Sequence, residues 1–161
     1  SQYKKIIEKL NKILKVSCLI TDVGSTKQNI IKLKNKILNK KLIWISSHPI
    51  AGSEVSGPEY GNKNLFLNKW CVIIKEKKQN SKKINLLNKF WRKIGSKVVF
   101  MNPVNHDKIF SITSHLPHLI AYTIVGTATD LEDQTKHDVV RFSATGFPFR
   151  APQFPWPNPQ N

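Results

Sequence analysis

The stretch Val16-Ser-Cys-Leu-Ile-Thr-Asp-Val-Gly-Ser-Thr-Lys27 passes from a short apolar run, through a glycine turn, into an amphipathic segment. Val16 to Ile20 reads as a buried strand, because it is short, apolar and followed by turn residues. Thr26 to Asn39 reads as a helix, with Ile30, Ile31, Leu33 and Ile37 at helical spacing among lysines. A strand feeding a helix through a tight turn is the repeating step of an α/β layer. The step recurs on both sides. Tyr3 to Leu14 carries Ile6, Ile7, Leu10, Ile13 and Leu14 on one helical face. Leu42 to Ile45 is a second strand, ending at His48-Pro49, and Trp70 to Ile74 a third. Ser81 to Ile94 reads as a helix with Ile84, Leu87, Trp91 and Ile94 on one stripe and Gly95 as its C-cap. Val98 to Met101 is a fourth strand. The alternation predicts an α/β fold with a largely parallel sheet.

The pattern stops near residue 102. From Asn105 to Thr129 the apolar residues fit one long helix, bent or interrupted near Pro117. Five of the nine prolines lie between Pro148 and Pro159, which excludes helix there. No Lys follows Lys136 and no Ile follows Ile124. The tail reads either as a proline-rich ligand or as the product of a reading-frame change; the compositional shift favours the second. The expected divisions are therefore 1–102, 103–147 and an atypical tail, 148–161.

The 161 residues suffice for one domain with a core or for two partial domains. A hydrophobic fraction of 40% excludes a wholly disordered chain. The longest apolar run, Trp70 to Ile74, is too short for a membrane span. Cys18 and Cys71 sit in strand-like runs, so a reducing, cytoplasmic setting is expected rather than a disulfide framework.

Net charge is +16, which first suggests a nucleic-acid or anionic-surface partner. However, 23 of the 26 basic residues are Lys, and Lys, Asn and Ile together form about a third of the chain. All three have A/T-rich codons. The forked guanidinium used to read phosphates and bases is nearly absent. The charge therefore reads as a solvated lysine surface.

Three polar clusters carry chemistry. Asp22 to Lys27 follows a strand and opens a helix, at the sheet edge where α/β proteins bind ligands. His48-Pro-Ile-Ala-Gly-Ser-Glu54 follows the next strand at the same edge. His106-Asp107 and Ser114-His-Leu-Pro-His118 lie on the long helix. Asp22, Ser25 and Asp107 could each serve only as helix caps. His115 and His118 share a helical face, but no third ligand stands at metal-site spacing, so no metal is expected. His48 is the strongest candidate, because a neutral imidazole can take a hydroxyl proton near pH 7.

Residues 48–59, His-Pro-Ile-Ala-Gly-Ser-Glu-Val-Ser-Gly-Pro-Glu, closely resemble the signature of prephenate and arogenate dehydrogenases. Thr21-Asp-Val-Gly-Ser-Thr-Lys27 and His106-Asp-Lys-Ile-Phe…Ser114-His-Leu-Pro-His-Leu-Ile-Ala121 do so too, in the family's order and at about its spacing. The resemblance covers most of residues 1 to about 147. It implies the C-terminal half of a Rossmann-type parallel sheet, followed by the start of an all-α dimerisation and substrate domain. It also implies NAD- or NADP-dependent oxidative decarboxylation of prephenate or arogenate in tyrosine biosynthesis, by a homodimer with no nucleic-acid or membrane partner.

By the same resemblance His48 and Ser25 are catalytic, with Ser25 orienting His48 beside the nicotinamide. Ser53, Glu54, His115, His118 and Arg150 bind substrate, and Asp22, Gly24 and Ser25 border the cofactor. Two features depart from the family. No Gly-x-Gly-x-x-Gly turn occurs in the sequence, and Arg150 follows Gly146-Phe147 two residues short of the family's spacing. The expectation is a fragment, truncated at both ends and inactive alone. The competing readings are a basic nucleic-acid-binding protein and another Rossmann hydroxy-acid dehydrogenase. Neither accounts for all three motifs.

Overall fold

The computed structural model describes residues 2–14, 18–52, 57 and 60–135. Residues 2–52 and 61–109 belong to one compact unit, and the described residues from Phe110 onward to a second. The first unit runs α1 (Gln2–Ile13), β1 (Leu19–Ile20), α2 (Gln28–Ile37), β2 (Ile43–Trp44), β3 (Ser47–Pro49), β4 (Trp70–Ile74), α3 (Ser81–Lys93) and β5 (Lys97–Met101).

β1 pairs with β2 in parallel, Leu19 facing Ile43 and Ile20 facing Trp44. β4 pairs with β5 in parallel from Trp70–Lys97 to Ile74–Met101. The two pairs are joined through the segment 43–50. On one side Ile45 and Ser47 donate backbone N–H bonds to the carbonyls of Ile20 and Asp22. On the other, Ile74 N–H reaches the Ser46 carbonyl and β3 pairs with β4.

The β3–β4 pairing is antiparallel, with Ser47 opposite Ile73, His48 opposite Val72 and Pro49 opposite Cys71. The sequence reading runs the second strand on to His48-Pro49 and does not anticipate a separate, antiparallel β3. Ser-Ser-His-Pro lacks the apolar, β-branched character of a strand, and proline is tolerated only near a strand's end. Among the described residues the return from β3 to β4 contains turns at 63–68 and no crossover helix, in keeping with the reversed direction. The expected parallel character therefore holds for β1–β2 and β4–β5 and is broken between them.

Alternation along 43–45 builds one core on each face of the sheet. Trp44 packs with Ile7 of α1 and Ile30 of α2, flanked by Ile20, Leu10 and Leu33. Ile45, Cys71 and Ile73 pack against Ile84, Leu87 and Trp91 of α3, with Leu19 and Ile43 at the margin. The α3 stripe expected from periodicity is thus the buried one.

α3 starts on Asn80, whose side chain accepts from Lys83 N–H at 3.2 Å. It ends at Gly95, φ +91°. There Ser96 N–H bonds the Trp91 carbonyl and Gly95 N–H the Arg92 carbonyl, a Schellman closure. A Cβ on Gly95 would also meet Leu67 Cδ1 at 2.7 Å, so both backbone and neighbour select glycine.

From α4 (Pro103–Phe110) the chain stays helical through a π turn (Ser111–His115) into α5 (Leu116–Thr135). The π turn ends at His115, two residues before Pro117. Proline lacks an N–H and its ring crowds the carbonyl four residues back, which here belongs to Thr113 inside that turn. The expected interruption near Pro117 is therefore a local widening of the helix. The tail, 148–161, lies outside the described residues.

Candidate active site

The loop between β1 and α2 is built around a buried ion pair. Lys27 is fully buried, and its Nζ lies 2.6 Å from Asp22 Oδ2 and 2.6 Å from the Ser47 carbonyl. Trp44 Nε1 donates to Asp22 Oδ1 at 2.9 Å, and Gly24 N–H to Oδ2 at 3.3 Å. Ser47 Oγ donates to the Asp22 carbonyl at 3.0 Å and shares a 2.9 Å hydrogen bond with Thr21 Oγ1. Burial lowers the pKa of Lys27, and the Asp22 carboxylate opposes that shift. Asp22, expected beside the cofactor, is itself buried with both carboxylate oxygens engaged; in this structure it fixes the loop. A Cβ on Gly24 would stand 2.5 Å from the Tyr3 hydroxyl, so a larger residue there would have to displace the end of that side chain.

Lys27 is the residue just before α2, and its side chain provides no cap. An ammonium has no acceptor, so it cannot serve the open N–H groups of a helix start. Asp107 does so from α4: Oδ1 accepts from Lys27 N–H and Oδ2 from Gln28 N–H, each at 2.9 Å. Asp107 thus caps α2 rather than its own helix, where Asn102 Oδ1 accepts from Asn105 N–H.

The same carboxylate meets His106. His106 Nδ1 lies 2.8 Å from Asp107 Oδ1, and its Nε2 lies 2.9 Å from His48 Nδ1. The two rings meet edge to face, centroids 5.1 Å apart. His106 is fully buried and His48 half-buried. A chain of polar contacts therefore runs from the start of α2, through Asp107 and His106, to the ring that the sequence singled out.

Ser25 lies exposed in the β1–α2 loop, and His48 Nδ1 is hydrogen-bonded to His106 Nε2. Ser53, Glu54 and Arg150 lie outside the described residues. His115 ends the π turn, half-buried, and His118 is exposed on α5; both belong to the second unit. Sequence reasoning singled out His106-Asp107 but gave it no role toward His48. An adjacent His-Asp pair on the first turn after the last strand was the available signal.

Beneath the site Cys71 is fully buried. Burial pushes its thiol up to about 12, against smaller opposing effects from a His48 backbone hydrogen bond and from Lys27. It is a packing residue without a nucleophile's thiolate.

Burial alone would raise the Asp107 pKa. The Gln28 N–H, His106 and Lys27 N–H together outweigh it, and the carboxyl ends below its ordinary 3.8. Between the folded value and 3.8 the unfolded chain binds more protons, so this group's stabilisation is complete above 3.8 and lost as pH falls through the folded value. Asp107→Asn is expected to remove that contribution. Urea unfolding midpoints measured from pH 6 down to pH 2.5 should then fall less steeply below about pH 4 than in the parent. Identical slopes would show that Asp107 gains nothing from its partners.

The family model for the prephenate dehydrogenase nucleotide-binding domain matches residues 1–100, and that for the prephenate dehydrogenase dimerization domain matches 102–150. Cyclohexadienyl dehydrogenase of Zymomonas mobilis is 33% identical over 134 residues, covering 83% of this chain and 45% of that protein. Prephenate dehydrogenase of Bacillus subtilis is 33% identical over 135 residues, covering 80% and 34% respectively. The chain therefore spans less than half the length of these relatives. The crystal structure of prephenate dehydrogenase from Aquifex aeolicus superimposes with a TM-score of 0.82 and 34% identity, over 91% of this chain and 51% of that one. That enzyme has also been solved with hydroxyphenyl propionate and NAD+, and that structure superimposes equally well. With the Rossmann-type half and the helical segment matched in order by the family's two domains, the chain belongs to the prephenate dehydrogenase family.

Proposed function

We propose that these residues form the catalytic portion of an NAD- or NADP-dependent dehydrogenase that oxidatively decarboxylates prephenate or arogenate. The product is 4-hydroxyphenylpyruvate or tyrosine. The observation that carries the reading is His48, presented at the sheet edge and backed by a hydrogen-bonded histidine and carboxylate. The relative solved with NAD+ and a hydroxyphenyl ligand supports the cofactor and substrate class.

The bound nicotinamide supplies a hydride acceptor. This chain's own part is proton handling and placement. His48 takes the C4 hydroxyl proton as C4 loses its hydride, then returns it to the phenolate oxygen once carbon dioxide has left. Ser25, in the β1–α2 loop, orients His48 beside the nicotinamide. Gly24 and Ser25 border the cofactor. Asp107 occupies the N–H groups of Lys27 and Gln28 at the start of α2. Ser53, Glu54, His115, His118 and Arg150 are assigned to the substrate.

The helical segment suits a second copy of the chain. Leu116, Leu119, Ile120 and Ile124 are exposed along α5, and a family dimerization domain matches there.

The test is formation of reduced nicotinamide by the complete gene product, with prephenate and arogenate each paired with NAD and NADP. Turnover with at least one pair is expected, whereas residues 1–161 alone should give none. A complete, folded product that is inactive with all four pairs would overturn the assignment.

A further inference from the structure

We propose that His106 is a positioning residue that fixes the tautomer of His48, so that the catalytic lone pair lies on Nε2. The inference rests on the dehydrogenase reading above and adds to it an assignment for His106 and Asp107.

The argument is one of donors and acceptors. The Asp107 carboxylate can only accept, and its oxygens already take the N–H groups of Lys27 and Gln28. The 2.8 Å contact from His106 Nδ1 therefore requires a proton on that nitrogen. A second proton, on Nε2, would make a fully buried imidazolium, and the Asp107 carboxylate, already shared with two backbone N–H groups, offsets only part of its desolvation cost. The neutral ring has its lone pair at Nε2. At 2.9 Å from that lone pair, His48 Nδ1 must be the donor. The remaining lone pair of His48 is then on Nε2, the nitrogen that takes the hydroxyl proton. Every link is set by the previous one, and the first is anchored to backbone.

When His48 becomes an imidazolium, its Nδ1–H continues to donate to His106, and the Asp107 charge faces the new cation through one ring. No proton has to move along the chain. The arrangement orders the base and stabilises its charged form, as an outer-shell carboxylate does for a metal-bound histidine.

The test uses the complete protein labelled with 15N at its histidine rings. Long-range proton–nitrogen correlation spectra should show His48 protonated at Nδ1 and His106 protonated at Nδ1 alone. In His106→Leu, His48 should shift toward the Nε2-protonated form. There kcat should fall by about 10²-fold, with the KM values for substrate and cofactor nearly unchanged. His106→Gln keeps a carbonyl acceptor toward His48 and an amide donor toward Asp107, and should recover most of the lost turnover.

A doubly protonated His106 with His48 protonated at Nε2 would overturn the proposal. So would equal turnover in the Leu and Gln variants at matched folding. If the leucine variant does not fold, the parent spectrum and the glutamine variant still decide the matter. A parent with the expected tautomers but no dehydrogenase activity would instead sink the functional reading and leave the tautomer assignment standing.

Discussion

His48→Asn in the complete dehydrogenase is expected to lower kcat by about 10²- to 10⁴-fold, the span attributed to a well-placed general base. Asparagine keeps a polar group of similar reach and can still meet His106, so folding should be little affected. It has no lone-pair nitrogen that gains a proton near neutral pH. Cofactor affinity should stay nearly constant, because the loss concerns a proton acceptor rather than a binding contact. Steady-state kinetics with a cofactor titration by fluorescence would separate the two. Turnover within a few-fold of the parent would make His48 a structural strand residue and remove the basis of the proposed mechanism.

The second large effect concerns stability. Lys27→Met leaves Asp22 as a buried carboxylate compensated, among the described residues, by Trp44 Nε1 and Gly24 N–H. Breaking a buried pair from one side costs about 3–5 kcal/mol, far more than an exposed pair is worth. The double variant Asp22→Asn, Lys27→Met removes both charges and should recover a substantial part of that loss, since the desolvation cost disappears with them. Urea denaturation of the four members of the cycle measures this. A single variant within about 1 kcal/mol of the parent would mean that Lys27 escapes to solvent and that the loop is looser than described. The lowered pKa of Lys27, caused first by burial, reflects the same cost.

Much of the fold was legible because burial imposes periodicity. Ile84, Leu87 and Trp91 read as one helical stripe, and they are the residues of α3 that meet the sheet. Trp70 to Ile74 read as a buried strand, and Cys71 to Ile74 are all buried in β4. β3 was illegible because its pairing comes from its position between β1 and β4, not from the character of Ser-His-Pro. His48 stood out because it follows an apolar run at a sheet edge. Its partner did not, because His106 lies 58 residues further along the chain and no local spacing encodes their meeting. Asp107 was read as a local cap for a similar reason. Which helix start a carboxylate serves depends on how α4 docks against α2, and hydrophobic pattern does not specify that.

The double duty of Asp107 ties two events that proteins often keep separate. The carboxylate that closes the first turn of α2 is also the end of the chain that sets the ring at residue 48. A nascent polypeptide that has formed its sheet but not yet brought α4 home therefore has an unfinished helix and a base free to choose the wrong nitrogen. On the role proposed for His48, placing the base and closing the first turn of α2 depend on the same carboxylate.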